Sequence, residues 1–158
     1  PSHSLETAFD VTFGDSGPLV VLCVEYDALP EIGHACGHNI IATASIGAGL
    51  GLQDLANDLG IRVKLLGTPA EEGGGGKIIL LDNGAFEDAK CSMMIHPGYE
   101  NVVNPTFTTI QQYTVEFFGK DAHAAGAPQE GINALDAQIQ LFVNASTYRQ
   151  QMLSLIHI

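Results

Sequence analysis

Leu19-Val20-Val21-Leu22-Cys23-Val24-Glu25-Tyr26, with Asp27 directly after it, is the stretch on which the fold turns. It is apolar almost without alternation, the pattern of a strand covered on both faces. A second β-rich run at residues 8–13 precedes it, across the turn cluster Gly14-Asp15-Ser16-Gly17-Pro18. A loop over residues 27–37 follows. From residue 38 to about 59 the pattern becomes helical, with Ile40, Ile41, Ala44, Ala48, Leu52, Leu55 and Leu59 recurring at helical spacing. Gly47, Gly49 and Gly51 lie inside this segment; each costs up to ~1 kcal/mol against Ala, so close packing on a sheet is the expected compensation. Residues 61–67 read as a strand ended by Thr68-Pro69, residues 77–83 as a short helix closed by Gly84, and residues 91–95 as a third buried strand ended by His96-Pro97-Gly98. Alternation of strand and helix at this spacing predicts right-handed crossovers and a parallel sheet, an α/β sandwich from residue 19 to about 105.

The texture changes after Pro105. Residues 106–118 are rich in Thr, Val, Tyr and Phe and partly alternate, which predicts an antiparallel strand with one wet face. A loop over 119–128 and an amphipathic helix over 131–148 follow. One strand and one helix cannot enclose a core, so this second unit reads as cut short. The expected organisation is residues 1–105 as one domain, 106–152 as the start of another, and 153–158 (LSLIHI) as a non-native tail.

Composition narrows the function. The 158 residues hold 46% hydrophobic side chains, enough for a core. With 18 acidic against 6 basic residues the formal charge is −12, which argues against nucleic acid or an anionic membrane as partner. No apolar run approaches the ~20 residues that span a bilayer. Three cysteines, an odd and sparse set, fit a reducing compartment and a cytoplasmic location better than a disulfide scaffold. Cys23 and Cys91 read as small buried hydrophobes. Because the chain opens at Pro1, a targeting segment is left open.

The informative residues sit at the carboxyl ends of the predicted strands, where an open parallel sheet binds ligands. Asp27 follows the first long strand, Cys36 and His38 lie in its loop, Glu71 and Glu72 follow the next strand, and His96 ends the third. Cys, His, Glu and His delivered to one rim point to a metal site. Taken singly, each has a plainer reading: a buried thiol, acids at a helix start, a loop histidine. The glycine run after Glu72 is not a phosphate loop, because Lys77 is followed by Ile78 and a carboxylate pair would repel phosphate. Gly47-Ala48-Gly49-Leu50-Gly51 likewise lacks dinucleotide-binding spacing.

At Tyr26-Asp27-Ala28-Leu29-Pro30, His34-Ala35-Cys36-Gly37-His38-Asn39 and Thr68-Pro69-Ala70-Glu71-Glu72-Gly73-Gly74 the sequence resembles the di-metal amidohydrolases and dipeptidases related to carboxypeptidase G, aminoacylase and the plant auxin-conjugate hydrolases. Gly119-Lys120-Asp121-Ala122-His123-Ala124-Ala125 and Gly131-Ile132-Asn133-Ala134-Leu135-Asp136-Ala137 resemble the start of that family's lid. The likeness runs from about residue 8 to 152, and its details are most similar to the Xaa-Arg dipeptidase branch, which splits basic dipeptides such as β-alanyl-lysine. One departure is Asn39, where many members carry Asp. A larger one is length: the family continues into a C-terminal stretch carrying one more histidine ligand. A chain without it is expected to bind metal poorly and not to turn over substrate.

The resemblance implies a mixed, mostly parallel sheet sandwiched by helices, like a zinc peptidase, with an inserted α+β lid that pairs two subunits. It makes Cys36, His38, Glu72 and His96 metal ligands, Glu71 the general base, and Asp27 the carboxylate that orients a ligand histidine. His123 resembles the lid histidine that reaches into the partner subunit's site as a cation and stabilises the oxyanion. The cofactor implied is two divalent ions per subunit about 3.5–4 Å apart, zinc first, with manganese or cobalt left open. The substrate implied is a dipeptide with a basic C-terminal residue. An acidic rim would steer it, unless basic and acidic dipeptides were cleaved equally well. The alternatives are an N-acyl amino acid amidohydrolase with the same site, and a truncated metal-binding product without turnover.

Overall fold

The computed structural model describes residues 3–107 and 111–152. It divides between Asn101 and Val102 into two compact units. The first has strand β1 (Phe9–Phe13), strand β2 (Leu19–Val24), helix α1 (His38–Gln53), strand β3 (Arg62–Gly67), helix α2 (Gly76–Asp82) and strand β4 (Ala89–Met93). The four strands form one mixed sheet in the order β1-β3-β2-β4. β2 runs parallel to both β3 and β4, as the strand–helix alternation predicts, while β1 pairs antiparallel with β3.

The central strand explains its own composition. Leu19, Val21 and Cys23 join Leu66, Leu80 and Ala85 in one cluster, while Leu22 and Val24 join Val63, Leu65 and Ala56 in another. Leu80 comes from α2; Ala42 and Leu52 of α1 pack against the second cluster. Alternate side chains of β2 therefore meet different helices, and all of them except the half-buried Val20 are shut off from water.

Three expectations need correction. The buried stripe of α1 is His38, Ile41, Ser45 and Gly49, whereas Ile40, Leu55 and Leu59 are exposed, and the helix stops at Gln53. Ser45 donates from Oγ to the Cys23 carbonyl at 2.8 Å, so a polar side chain takes a place that apolar periodicity could not reveal. The last strand is β4, displaced to Ala89–Met93; it is an edge strand, and its Cys91 is exposed rather than buried. In residues 106–107 and 111–118 no regular strand forms, because no pairing strand stands beside them among the described residues. The rest of that expected strand, at 108–110, and the expected tail at 153–158 lie outside the described residues.

Close packing explains only one of the helix glycines. A Cβ at Gly49 would stand 2.6 Å from Leu65 Cδ2, but at Gly47 and Gly51 it would meet nothing within 4 Å. Gly47→Ala and Gly51→Ala should each raise stability by about 0.5–1 kcal/mol, and Gly49→Ala should lower it, as read from urea midpoints. Equal gains at all three positions would contradict this packing.

In the second unit, Lys120 and Ile132 form an isolated antiparallel bridge, and a 3-10 turn at Pro128–Glu130 leads to helix α3 (Ala134–Arg149). Asn133 caps α3, accepting from the Leu135 N–H at 3.1 Å. None of the α3 residues is buried. Among the described residues no helix is long and apolar enough to cross a membrane.

Candidate metal centre

The parallel register sets the site. Val24 pairs with Gly67, so β2 and β3 end level with each other. Thr68 continues the ladder, its N–H donating to the Val24 carbonyl at 2.8 Å. The chain then turns through Ala70 at φ +61°, a left-handed conformation, and delivers Glu71 and Glu72 beside the loop that follows β2.

That loop enters α1 through Gly37, whose φ of +83° suits glycine. Gly37 separates Cys36 from His38. A Cβ there would stand 2.5 Å from Pro97 Cγ, so the absence of a side chain lets the His96-Pro97 segment close over the Cys36–His38 turn. Cys36 Sγ consequently lies 3.8 Å from His96 Nε2.

Both histidines are oriented in the same way. His38 Nδ1 lies 3.0 Å from the Asp27 carbonyl oxygen and 3.2 Å from Asp27 Oδ1; His96 Nδ1 lies 2.8 Å from the Pro97 carbonyl oxygen. A carbonyl oxygen can only accept, so each Nδ1 carries the proton. Each Nε2 is left as a lone pair facing the cluster, the form in which imidazole binds a metal.

His38 is fully buried at the centre of this group. Its Nε2 lies 3.3 Å from Glu25 Oε2, 3.5 Å from Glu71 Oε2 and 3.7 Å from Glu72 Oε1. Two triads have donor atoms within 4.8 Å of one another: Cys36, His38 and His96, and Glu25, His38 and Glu71. Thiol, imidazole and carboxylate donors gathered around a buried, unpartnered imidazole nitrogen fit a divalent cation.

Asp27 holds the frame together. Its Oδ2 accepts from the Glu72 N–H at 2.9 Å while its other carboxylate oxygen meets His38. Burial opposes its charge, but the N–H groups of Glu72 and of Asp27 itself, with His38 beside it, outweigh that and hold the carboxyl below its ordinary value. Cys36 goes the other way: burial, reinforced by the Glu72 and Glu71 charges, raises its thiol above the ordinary range. Metal binding must therefore expel a proton from Cys36. Affinity should rise with pH by up to about tenfold per unit at neutral pH and level off once the thiol is ionised. Competition titrations across pH, with Cys36→Ser as the flat control, measure this.

The sequence-predicted residues Asp27, Cys36, His38, Glu71, Glu72 and His96 thus come together in the first unit. His123 belongs to the second, where its Nδ1 accepts from the Gly126 N–H at 2.9 Å and the Ala125 N–H at 3.3 Å. Its proton is then on Nε2, which makes it a donor in the neutral ring. Glu25 went unremarked in the sequence, although a carboxylate inside an otherwise apolar strand is a signal, since a charge buried there requires a partner. Its Oε1 pairs with Lys77.

No protein-family model matches the chain. It is 44% identical to the Xaa-Arg dipeptidase of Mus musculus over 96% of its own length and 38% of the relative's, and 47% identical to that of Homo sapiens over 83% and 31%. It is 32% identical to a p-aminobenzoyl-glutamate hydrolase chain of Escherichia coli over 85% of its length and 32% of the relative's. The chain spans about a third of the length of these relatives. The converging strand-end residues and these similarities lead to one assignment: the chain belongs to the amidohydrolase and dipeptidase family of hydrolases.

Proposed function

We propose that the chain carries the metal-binding part of a dipeptidase that splits the amide bond before a basic C-terminal residue. The observation that carries the metal reading is the buried His38 Nε2, a lone pair enclosed by carboxylates that can only accept. The substrate class rests on the two relatives named Xaa-Arg dipeptidase. The same proposal takes the first unit as a zinc-peptidase-like layer of sheet and helices. It takes residues 106–152 as the beginning of a lid through which two copies of the whole enzyme pair.

Cys36, His38, Glu72 and His96 would hold the metal, which supplies Lewis-acid polarisation of the scissile carbonyl and acidifies water toward pH ~7. Glu72 suits a ligand: its side chain is 17% exposed and its main chain is tied to Asp27. Glu71, 42% exposed, suits the base, taking a proton from water at Oε2 and passing it to the leaving amine nitrogen. Asp27 keeps the proton of His38 on Nδ1. His123 from a second copy would donate from Nε2 to the developing oxyanion.

The test is metal content together with turnover of β-alanyl-lysine and of N-acetyl amino acids, before and after chelation. Metal-dependent release of lysine supports the proposal. Preference for N-acetyl amino acids would favour the amidohydrolase reading. Stoichiometric metal uptake without turnover by any longer chain carrying this sequence would leave only a metal-binding product.

A further inference from the structure

Glu25 has a placement that the proposed ligand set does not use. It follows the last residue of β2 and is only 2% exposed. One of its oxygens, Oε1, is paired with Lys77 in the first turn of α2. The other, Oε2, is buried and without a hydrogen-bond partner among the described residues. It points into the cluster, 3.3 Å from His38 Nε2, which is also buried and unpartnered. The two atoms are close but do not meet in hydrogen-bonding alignment. With the His38 proton held on Nδ1, they are two lone-pair donors facing each other in a dry site.

Such a pair is unfavourable unless a positive charge lies within reach of both. Lys77 cannot serve, because it engages the opposite oxygen. Glu71 Oε2 lies in the same 4.8 Å group but is left free as the base, so the ligands offered on this side are the His38 nitrogen and the Glu25 oxygen. That set is harder than the Cys36, His38 and His96 set beside it, and harder donors favour ions such as manganese over a thiolate-preferring ion such as zinc.

The geometry points to Glu25 as a direct ligand, through Oε2, of a divalent cation at this centre, with Lys77 fixing the carboxylate and offsetting part of its charge. This rests on the metal reading above. His38 has one free lone pair, so it serves either the sulfur-containing side or the Glu25 side, and Glu25 supplies the carboxylate that makes the second side workable.

The experiment titrates a longer chain carrying this sequence with Mn²⁺, Zn²⁺ and Co²⁺, comparing wild type, Glu25→Gln and Glu25→Asp, with circular dichroism confirming the fold. Glu25→Gln should weaken Mn²⁺ by at least about tenfold and Zn²⁺ by less. The Co²⁺ complex should keep its Cys36 thiolate charge-transfer band while its ligand-field bands shift. Glu25→Asp keeps the charge opposite Lys77 but withdraws the carboxylate by one methylene, so it should also lose Mn²⁺ affinity. Should Glu25→Gln fail to fold, the Asp variant decides alone. Wild-type binding with both folded variants within twofold would overturn the role of Glu25 and leave the metal centre standing. Absence of metal binding by wild type would overturn the centre itself.

Discussion

Glu71→Gln is expected to leave bound metal unchanged and to lower turnover of a basic dipeptide by about 10²–10⁴-fold, the usual contribution of a positioned base. Glu72→Gln is expected to lose the metal. Adjacent residues are suited to different tasks because the chain holds them differently. Glu72 is anchored through its N–H to Asp27 and is the more enclosed of the two, whereas Glu71 is the more open to water. Both substitutions preserve size and remove charge, so metal content after gel filtration separates the roles. If Glu71→Gln strips the metal, the two are exchanged, an outcome with a structural basis, since Glu71 Oε2 is also the nearer to His38 Nε2.

His38→Ala should have the largest effect on the molecule as a whole. The imidazole is fully buried, bonds Asp27 and is the residue common to both donor triads. Removing it opens a cavity and leaves Asp27 without a partner on one oxygen. Metal-free stability should fall by about 2–4 kcal/mol and metal binding should disappear. Urea unfolding in chelator measures the first, equilibrium dialysis the second. An unchanged midpoint would mean that His38 is not part of the structural frame.

How far the sequence could be read depended on what each element meets. The continuous apolar run of β2 announced a strand covered on both sides, because both faces are filled by helices. The stripe of α1 was hidden because the residues it buries include a histidine, a serine and a glycine, placed by the site and by close approach to Leu65 rather than by hydrophobicity. β4 looked like an interior strand, since edge position depends on which neighbours pair and not on its own residues. For the site, the strand-end positions of Cys36, His38, Glu71, Glu72 and His96 suggested convergence, and the family motifs supplied the roles. Glu25 stayed unnoticed because its partners, Lys77 and His38, arrive from two different helices.

The two-handed carboxylate of Asp27 has a mechanical consequence. From the loop after β2, one oxygen grips the His38 imidazole at the start of α1 and the other grips the main chain of the loop after β3. Neither half of the centre can then drift without dragging the other, so the two loops should order and fray as one cooperative unit. Hydrogen exchange would register this as matched protection of the amides around residues 36–41 and 68–72, tightening together as cation is added. In Asp27→Ala the two segments should exchange independently, each at its own rate.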